Sequence, residues 1–289
     1  LLDRLRKWCR GTMEGYEKRS QHDQLIDKEV YLAEYARVKA KYAERWVRDW
    51  PEKTDPRKFV FEDLSIAAWL LCLWRRPSAA TSASSRDVDE DGGAVRSVKF
   101  VDLGCGNGLL THILSEEGHR GVGVDLASRK VWQVYGDQTQ LVADALLPAQ
   151  LRFSADTVDA NGTTDAKAPF WLELLDGHVD WIIGNHADEL VPWIPIIAAR
   201  SNHNTKFAVI PCCFYTLDGQ KRLKKEPGVS RYISYQRYLE GIMQTCGYEA
   251  ERDQLRIPST KNIAYVGRRR TFCLGKYAAR LARAHTRPG

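Results

Sequence analysis

The sequence predicts an α/β fold with a mostly parallel, doubly wound sheet and an N-terminal helical extension. Three observations carry this. From about residue 95, short apolar runs alternate with amphipathic stretches, as in strand–helix–strand units. A glycine-rich turn, Val101-Asp102-Leu103-Gly104-Cys105-Gly106-Asn107-Gly108, separates the first run from a helix. Acids stand at the ends of three successive predicted strands: Asp102, Asp125 and Asp144.

Residues 24–50 read as a helix, with Leu25, Tyr31, Leu32, Tyr35, Val38 and Tyr42 near the 3.6 period. Asp55 and Pro56 break that pattern, and a second apolar helix is expected from Glu62 through Trp74. Residues 77–94 are small, polar and acidic and read as a flexible linker. The chain therefore divides into a helical extension (1–76), the linker (77–94) and an α/β domain with a basic C-terminal segment (95–289).

In the α/β part, strands are expected at Val98–Leu103, Gly121–Asp125, Leu141–Ala143, Asp180–Gly184 and Phe207–Pro211. Helices are expected at Leu109–Glu117, Val191–Ala199 and Tyr235–Cys246. Residues 152–169 read as a surface insertion.

The 289 residues are 44% apolar and 28% charged, which excludes disordered, collagen-like and membrane-embedded classes. The longest apolar candidate, Ile66–Trp74, is less than half the roughly 20 residues of a membrane helix. The first residue is Leu1 rather than Met, as expected of a fragment, and neither a signal nor a transit peptide is expected. Seven cysteines, an odd number without a C-x-x-C pair, favour reduced thiols in a cytosolic or nuclear setting, of which the cytoplasm is the expected one; no familiar metal-ligand spacing occurs, so no metal is expected. The net charge of +6 conceals an acidic middle and a strongly basic stretch from about residue 219, which suggests a face that meets a polyanion.

The turn spacing is G-x-G-x-G rather than the dinucleotide G-x-G-x-x-G, so a nucleoside ligand without a pyrophosphate fits better. An acid at Asp102 suits a cationic group on that ligand. Asp125, 21 positions after Gly104, can accept from both ribose hydroxyls, and Asp144 from an adenine amine. Taken singly, each acid is a surface residue or a helix cap.

These motifs, VDLGCGNG, GVDLA and VADAL, resemble those of the class I S-adenosylmethionine-dependent methyltransferases over roughly residues 95–270. The resemblance implies a Rossmann-like fold ending in an antiparallel pair of strands near Leu255 and Ala264. It also implies S-adenosylmethionine as cofactor, bound by Asp102, Gly104, Cys105, Gly106, Asn107, Gly108, Asp125, Asp144 and Asn185. FEDLSIAAWLLCLW (61–74), GNHADELVPWIP (184–195), VIPCCF (209–214) and RIPSTKNIAYVGR (256–268) further resemble the eukaryotic tRNA (uracil-2′-O)-methyltransferases, from about residue 25 to 270. That resemblance implies methylation of the ribose of uridine 44 in serine tRNA, and it leaves a helper protein open. Two alternatives stand beside it: a class I methyltransferase acting on a protein or small molecule, and a non-catalytic RNA-binding subunit. The absence of an N-P-P-Y or D-P-P-Y motif argues against nitrogen as the acceptor.

In class I enzymes the end of the fourth strand faces the transferred methyl. His186 is there a general base, an RNA contact or a plain loop histidine; Asp188 is a catalytic group or a helix cap. Several 2′-O-methyltransferases place a lysine beside the methyl donor, and Lys261 is the candidate. Cys212 and Cys213 read as a packed core turn. Pro192, Trp193 and Pro195 form either a wall for a nucleotide or a helix start. Tyr232, Tyr235 and Tyr238 form either a stacking surface or a buried helix face. Phosphate contacts are expected from Lys221, Arg222, Lys224, Lys225, Arg231, Arg268, Arg269 and Arg270. No membrane partner is expected.

Overall fold

The computed structural model describes residues 2–13, 22–75, 97–145, 175, 178–221 and 223–272. The expected linker, the 152–169 insertion, Arg222 and residues beyond 272 lie outside the described residues.

Three helices come first: α1 (Leu2–Met13), α2 (Lys28–Arg48) and α3 (Pro56–Arg75). Helix α2 buries Tyr31, Glu34, Val38, Tyr42 and Trp46, one stripe at helical spacing, while Leu32 falls on the exposed side. Helix α3 starts six residues before the expected Glu62. Pro56 opens it rather than breaking the chain, because the first helical position needs neither an N–H donor nor another φ.

Seven strands then form one sheet in the order β3-β2-β1-β4-β5-β7-β6. They are β1 (Lys99–Leu103), β2 (Arg120–Asp125), β3 (Gln140–Ala143), β4 (Trp181–Asn185), β5 (Lys206–Ile210), β6 (Glu251–Gln254) and β7 (Ile263–Gly267). Strands β1 to β5 pair in parallel, and β7 runs antiparallel to both β5 and β6. Helix α4 (Leu109–Glu116) follows β1, α5 (Ile194–Ser201) precedes β5, and α6 (Arg231–Thr245) precedes β6.

Strand alternation splits the core in two. On one face Phe100, Trp181, Ile183, Ala208 and Val266 pack with α2, α3 and α4. On the other, Val101, Leu103, Ile182, Phe207 and Val209 pack with α5 and α6. Helices α2 and α3 pack directly on the sheet: Trp46, Leu64, Ile66 and Leu70 share one buried cluster with it. Glu117 at the end of α4 accepts from Tyr42 (2.7 Å) and Lys41 (3.0 Å) and pairs with Arg37. Asp253 on β6 accepts from the Trp69 indole (3.1 Å) and the Gln24 amide (3.2 Å).

Candidate active site

A cleft of about 1180 Å³ opens at the carboxyl ends of the parallel strands. Such ends at a topological switch point are where open α/β sheets bind ligands. Its floor is the β1–α4 turn. Gly104, at φ 73°, lets that turn lie against the loop after β4; a Cβ there would be 3.0 Å from the Ala187 Cα and Cβ. At Gly106, φ 56°, a Cβ would meet nothing within 4 Å, so the backbone borders open space. The Gly106 amide donates to Asp125 Oδ2 (2.8 Å), which ties the turn to the tip of β2.

Gly104, Cys105, Gly106, Asn107, Asp125, Asp144 and Asn185 all border the cleft. Asp102 and Gly108 do not. Asp102 is 1% exposed and accepts from the Thr111 hydroxyl (2.9 Å), because alternation along β1 turns it toward α4. Burial pushes its carboxyl up to about 7. Asp102 thus stands beneath the turn, with its Oδ1 buried and without a partner among the described residues. Gly108 instead lies against Leu141 and Trp132.

The opposite wall comes from α3, which the sequence reading left without a role. Asp63 accepts from Asn107 Nδ2 (3.2 Å) and Asn185 Nδ2 (3.3 Å), joining the first and fourth strand ends. Glu62 Oε1 lies 2.8 Å from His186 Nε2. Burial, the largest influence, pushes Asp63 up to about 7 despite its two amide donors. The signal for both acids was available: two adjacent carboxylates inside an otherwise apolar helix.

His186 and Asp188 both hold left-handed backbone, at φ 54° and 44°, which side-chain-bearing residues seldom adopt outside functional sites. Asp188 does not cap a helix through its side chain; Oδ1 lies 3.6 Å from the Cys212 thiol. Lys261 follows the cleft-lining Pro258, Ser259 and Thr260 but does not itself line the cleft. Its ammonium donates to the Cys212 carbonyl (2.7 Å) and sits 4.3 Å over the Phe214 ring.

Lys221, Lys224, Lys225 and Arg231 are exposed and close in sequence, with Arg231 5.4 Å over the same Phe214 ring. Arg268, Arg269 and Arg270 each have partners within the chain, and of the three Arg269 is exposed. Arg268 forks onto Glu251 (2.7 and 2.8 Å), and Arg269 pairs with Glu249 (3.0 Å) and Glu251 (3.3 Å). Arg270 donates to the carbonyls of Ala198, Asn202, His203 and Cys246 and lies 3.6 Å over the Tyr248 ring. Those carbonyls include the unpaired ends of α5 and α6, where a cation is stabilising. Trp193 and Pro195 pack into the core rather than lining the cleft, and Tyr235 is fully buried with Tyr232 and Tyr238 beside it.

The strand order, the antiparallel β7 and the glycine turn beneath the cleft define a class I, Rossmann-like methyltransferase fold. Residues 25–148 match the model of a family described as "Predicted AdoMet-dependent methyltransferase", one that depends on S-adenosylmethionine. The chain is 42% identical over 94% of its length to the human "Probable tRNA (uracil-O(2)-)-methyltransferase", spanning 31% of that protein. It is 38% identical over 93% of its length to the Schizosaccharomyces pombe "tRNA (uracil-O(2)-)-methyltransferase", spanning 53% of it. The chain thus covers from about a third to about half of these relatives. Among the described residues no helix is long and apolar enough to cross a membrane.

The cleft suits this cofactor on two structural grounds. The bare Gly106 backbone leaves room for a nucleoside, and the Asn185 Oδ1 is buried without a partner among the described residues, an acceptor that awaits a donor.

Proposed function

We propose that this chain is the catalytic unit of a tRNA (uracil-2′-O)-methyltransferase, acting in the cytoplasm on the ribose of a uridine, with uridine 44 of serine tRNA as its target. The similarity to proteins of that name along nearly the whole chain carries the reading. The base-and-orienter pair at the fourth strand end supports it.

S-adenosylmethionine supplies a methyl electrophile on a sulfonium. In this reading Asp125 accepts from the ribose hydroxyls, Asp144 from the adenine amine and Asn185 Oδ1 from the ammonium group. His186 receives the proton of the 2′-hydroxyl as charge develops on that oxygen, with Glu62 fixing its tautomer and ring angle. Lys261 stabilises the developing alkoxide once it leaves the Cys212 carbonyl. Holding the acceptor oxygen in line is a large part of the acceleration. Lys221, Lys224, Lys225 and Arg231 contact phosphates around the Phe214 ring.

The test is transfer of a tritiated methyl group to total tRNA, then digestion to nucleosides. Label in 2′-O-methyluridine from serine tRNA, lost when uridine 44 is replaced by cytidine, is expected. Label confined to a base or absent from tRNA overturns the reading.

A further inference from the structure

We propose that Asp188, Cys212 and Cys213 form a zinc site beside the cleft. Their ligand atoms all lie within 4.8 Å of one another. The Cys212 thiol is 3.6 Å from Asp188 Oδ1 and 3.6 Å from the Cys213 thiol. With Zn–S near 2.3 Å and Zn–O near 2.1 Å, tetrahedral edges are about 3.8 Å between sulfurs and about 3.6 Å between sulfur and oxygen. The observed spacings already approach that triangle.

The local backbone departs from its neighbours to build this cluster. Successive side chains of a strand point to opposite faces, so adjacent cysteines continuing β5 would diverge. Cys212 and Cys213 lie just past Ile210, outside the strand, and their sulfurs converge on one carboxylate. That carboxylate belongs to a residue held at φ 44° in a turn 24 positions away. No ligand spacing in the sequence marks this cluster, because the third ligand arrives through the fold.

Two thiolates and one carboxylate select a borderline-soft ion over magnesium or calcium, which take oxygen ligands. Three protein ligands leave a fourth tetrahedral position for water or another oxygen, the pattern of reactive rather than structural zinc sites. Asp188 is the ligand that also lines the cleft, so the ion borders the space where the acceptor is expected. Zinc binding does not depend on the proposed substrate, and its failure leaves that reading in place.

The experiment loads the metal-stripped full chain with Zn²⁺ or Co²⁺, followed by gel filtration, metal analysis and absorption spectroscopy. One zinc per chain and a tetrahedral cobalt spectrum with thiolate charge transfer are expected. Cys212→Ser/Cys213→Ser should abolish both, and Asp188→Asn should weaken zinc binding by at least about tenfold. Cys246→Ser, a cysteine outside the cluster, should leave them intact, and circular dichroism checks that every variant folds. No retained zinc, a cobalt spectrum unaffected by the double substitution, or recovery of the pair as a disulfide that excludes metal would overturn the proposal.

Discussion

Glu62 and His186 stand 124 positions apart in the chain and meet at 2.8 Å across the mouth of the cleft. The contact joins helix α3 to a loop residue in left-handed backbone, and only the fold brings them together. A nitrogen fixed in this way leaves the other imidazole nitrogen with a defined role, the geometry a proton acceptor needs.

His186→Ala is therefore expected to lower single-turnover methyl transfer by about a hundredfold or more, with cofactor affinity little changed. Glu62→Gln should lose less, since it keeps the shape and an atom that can hydrogen-bond His186, whereas Glu62→Ala should approach the loss of His186→Ala with unchanged KM for tRNA. Single-turnover kinetics checks all three; a Glu62→Ala variant that turns over like the parent would remove Glu62 as a positioning residue.

Asp125→Ala should cut affinity for S-adenosylhomocysteine by at least about tenfold, since a paired buried contact worth roughly 1–3 kcal/mol disappears. The melting temperature should move little, because the Asp125 carboxylate holds just the glycine turn, the neighbouring Ala127 amide and Arg129 at the edge of the cleft. Calorimetry with unchanged affinity would reject the pocket assignment.

Asp63 and Asp102 give stability a particular pH dependence. Burial pushes both up to about 7 in the folded chain, against an ordinary value near 3.9. Between about pH 4 and 7 the unfolded chain has lost those protons while the folded chain keeps them. The native state binds more protons, so their contribution is fully present below about pH 4 and falls as pH rises toward 7. Asp63→Asn should flatten that decline in melting temperature between pH 5 and 8. A parental slope in the variant would sink the argument.

The cations divide into two groups with different expected phenotypes. Replacing Lys221, Lys224 and Lys225 with Ala should weaken tRNA binding and reduce its log–log salt slope by roughly 2 to 3. Arg270→Ala should leave that slope alone and cost about 1–3 kcal/mol of stability, because four carbonyls each lose a donor. Filter binding at several salt concentrations, beside thermal melts, separates the two; a reduced salt slope in Arg270→Ala would return it to the phosphate-contact group.

Lys261→Ala should slow the chemical step about a hundredfold while sparing both binding steps, as expected for one electrostatic donor. A defect wholly in tRNA affinity would instead assign Lys261 to the Phe214 surface.

The parallel strands were legible because each is a short apolar run with a turn signal behind it, and their ends fall within a residue or two of expectation. The glycine turn, Asp125 and Asp144 were legible for a related reason: strand ends of one sheet edge are adjacent in space whenever the sheet is parallel. Glu62 and Asp63 carried a signal, two adjacent carboxylates in an apolar stretch, but their partners Asn107, Asn185 and His186 lie far off in the chain and could not be read from it. Arg268–Arg270 show the converse case. A run of like charge looks like a patch, yet Glu249 and Glu251 on the neighbouring edge neutralise two members and helix ends absorb the third. Neither arrangement is encoded at short range.

The shared core of α2, α3 and the sheet makes this polypeptide behave like two subunits on one string. Severed between Arg75 and Ser97, the first piece would carry Glu62 and Asp63 and the second the glycine turn and His186. Neither would own a complete cleft. Each would expose an apolar face that only the other fits, so reconstitution would depend on concentration. A covalent connection raises that local concentration, and α2 and α3 would then act as a tethered partner of the segment that bears the cofactor motifs.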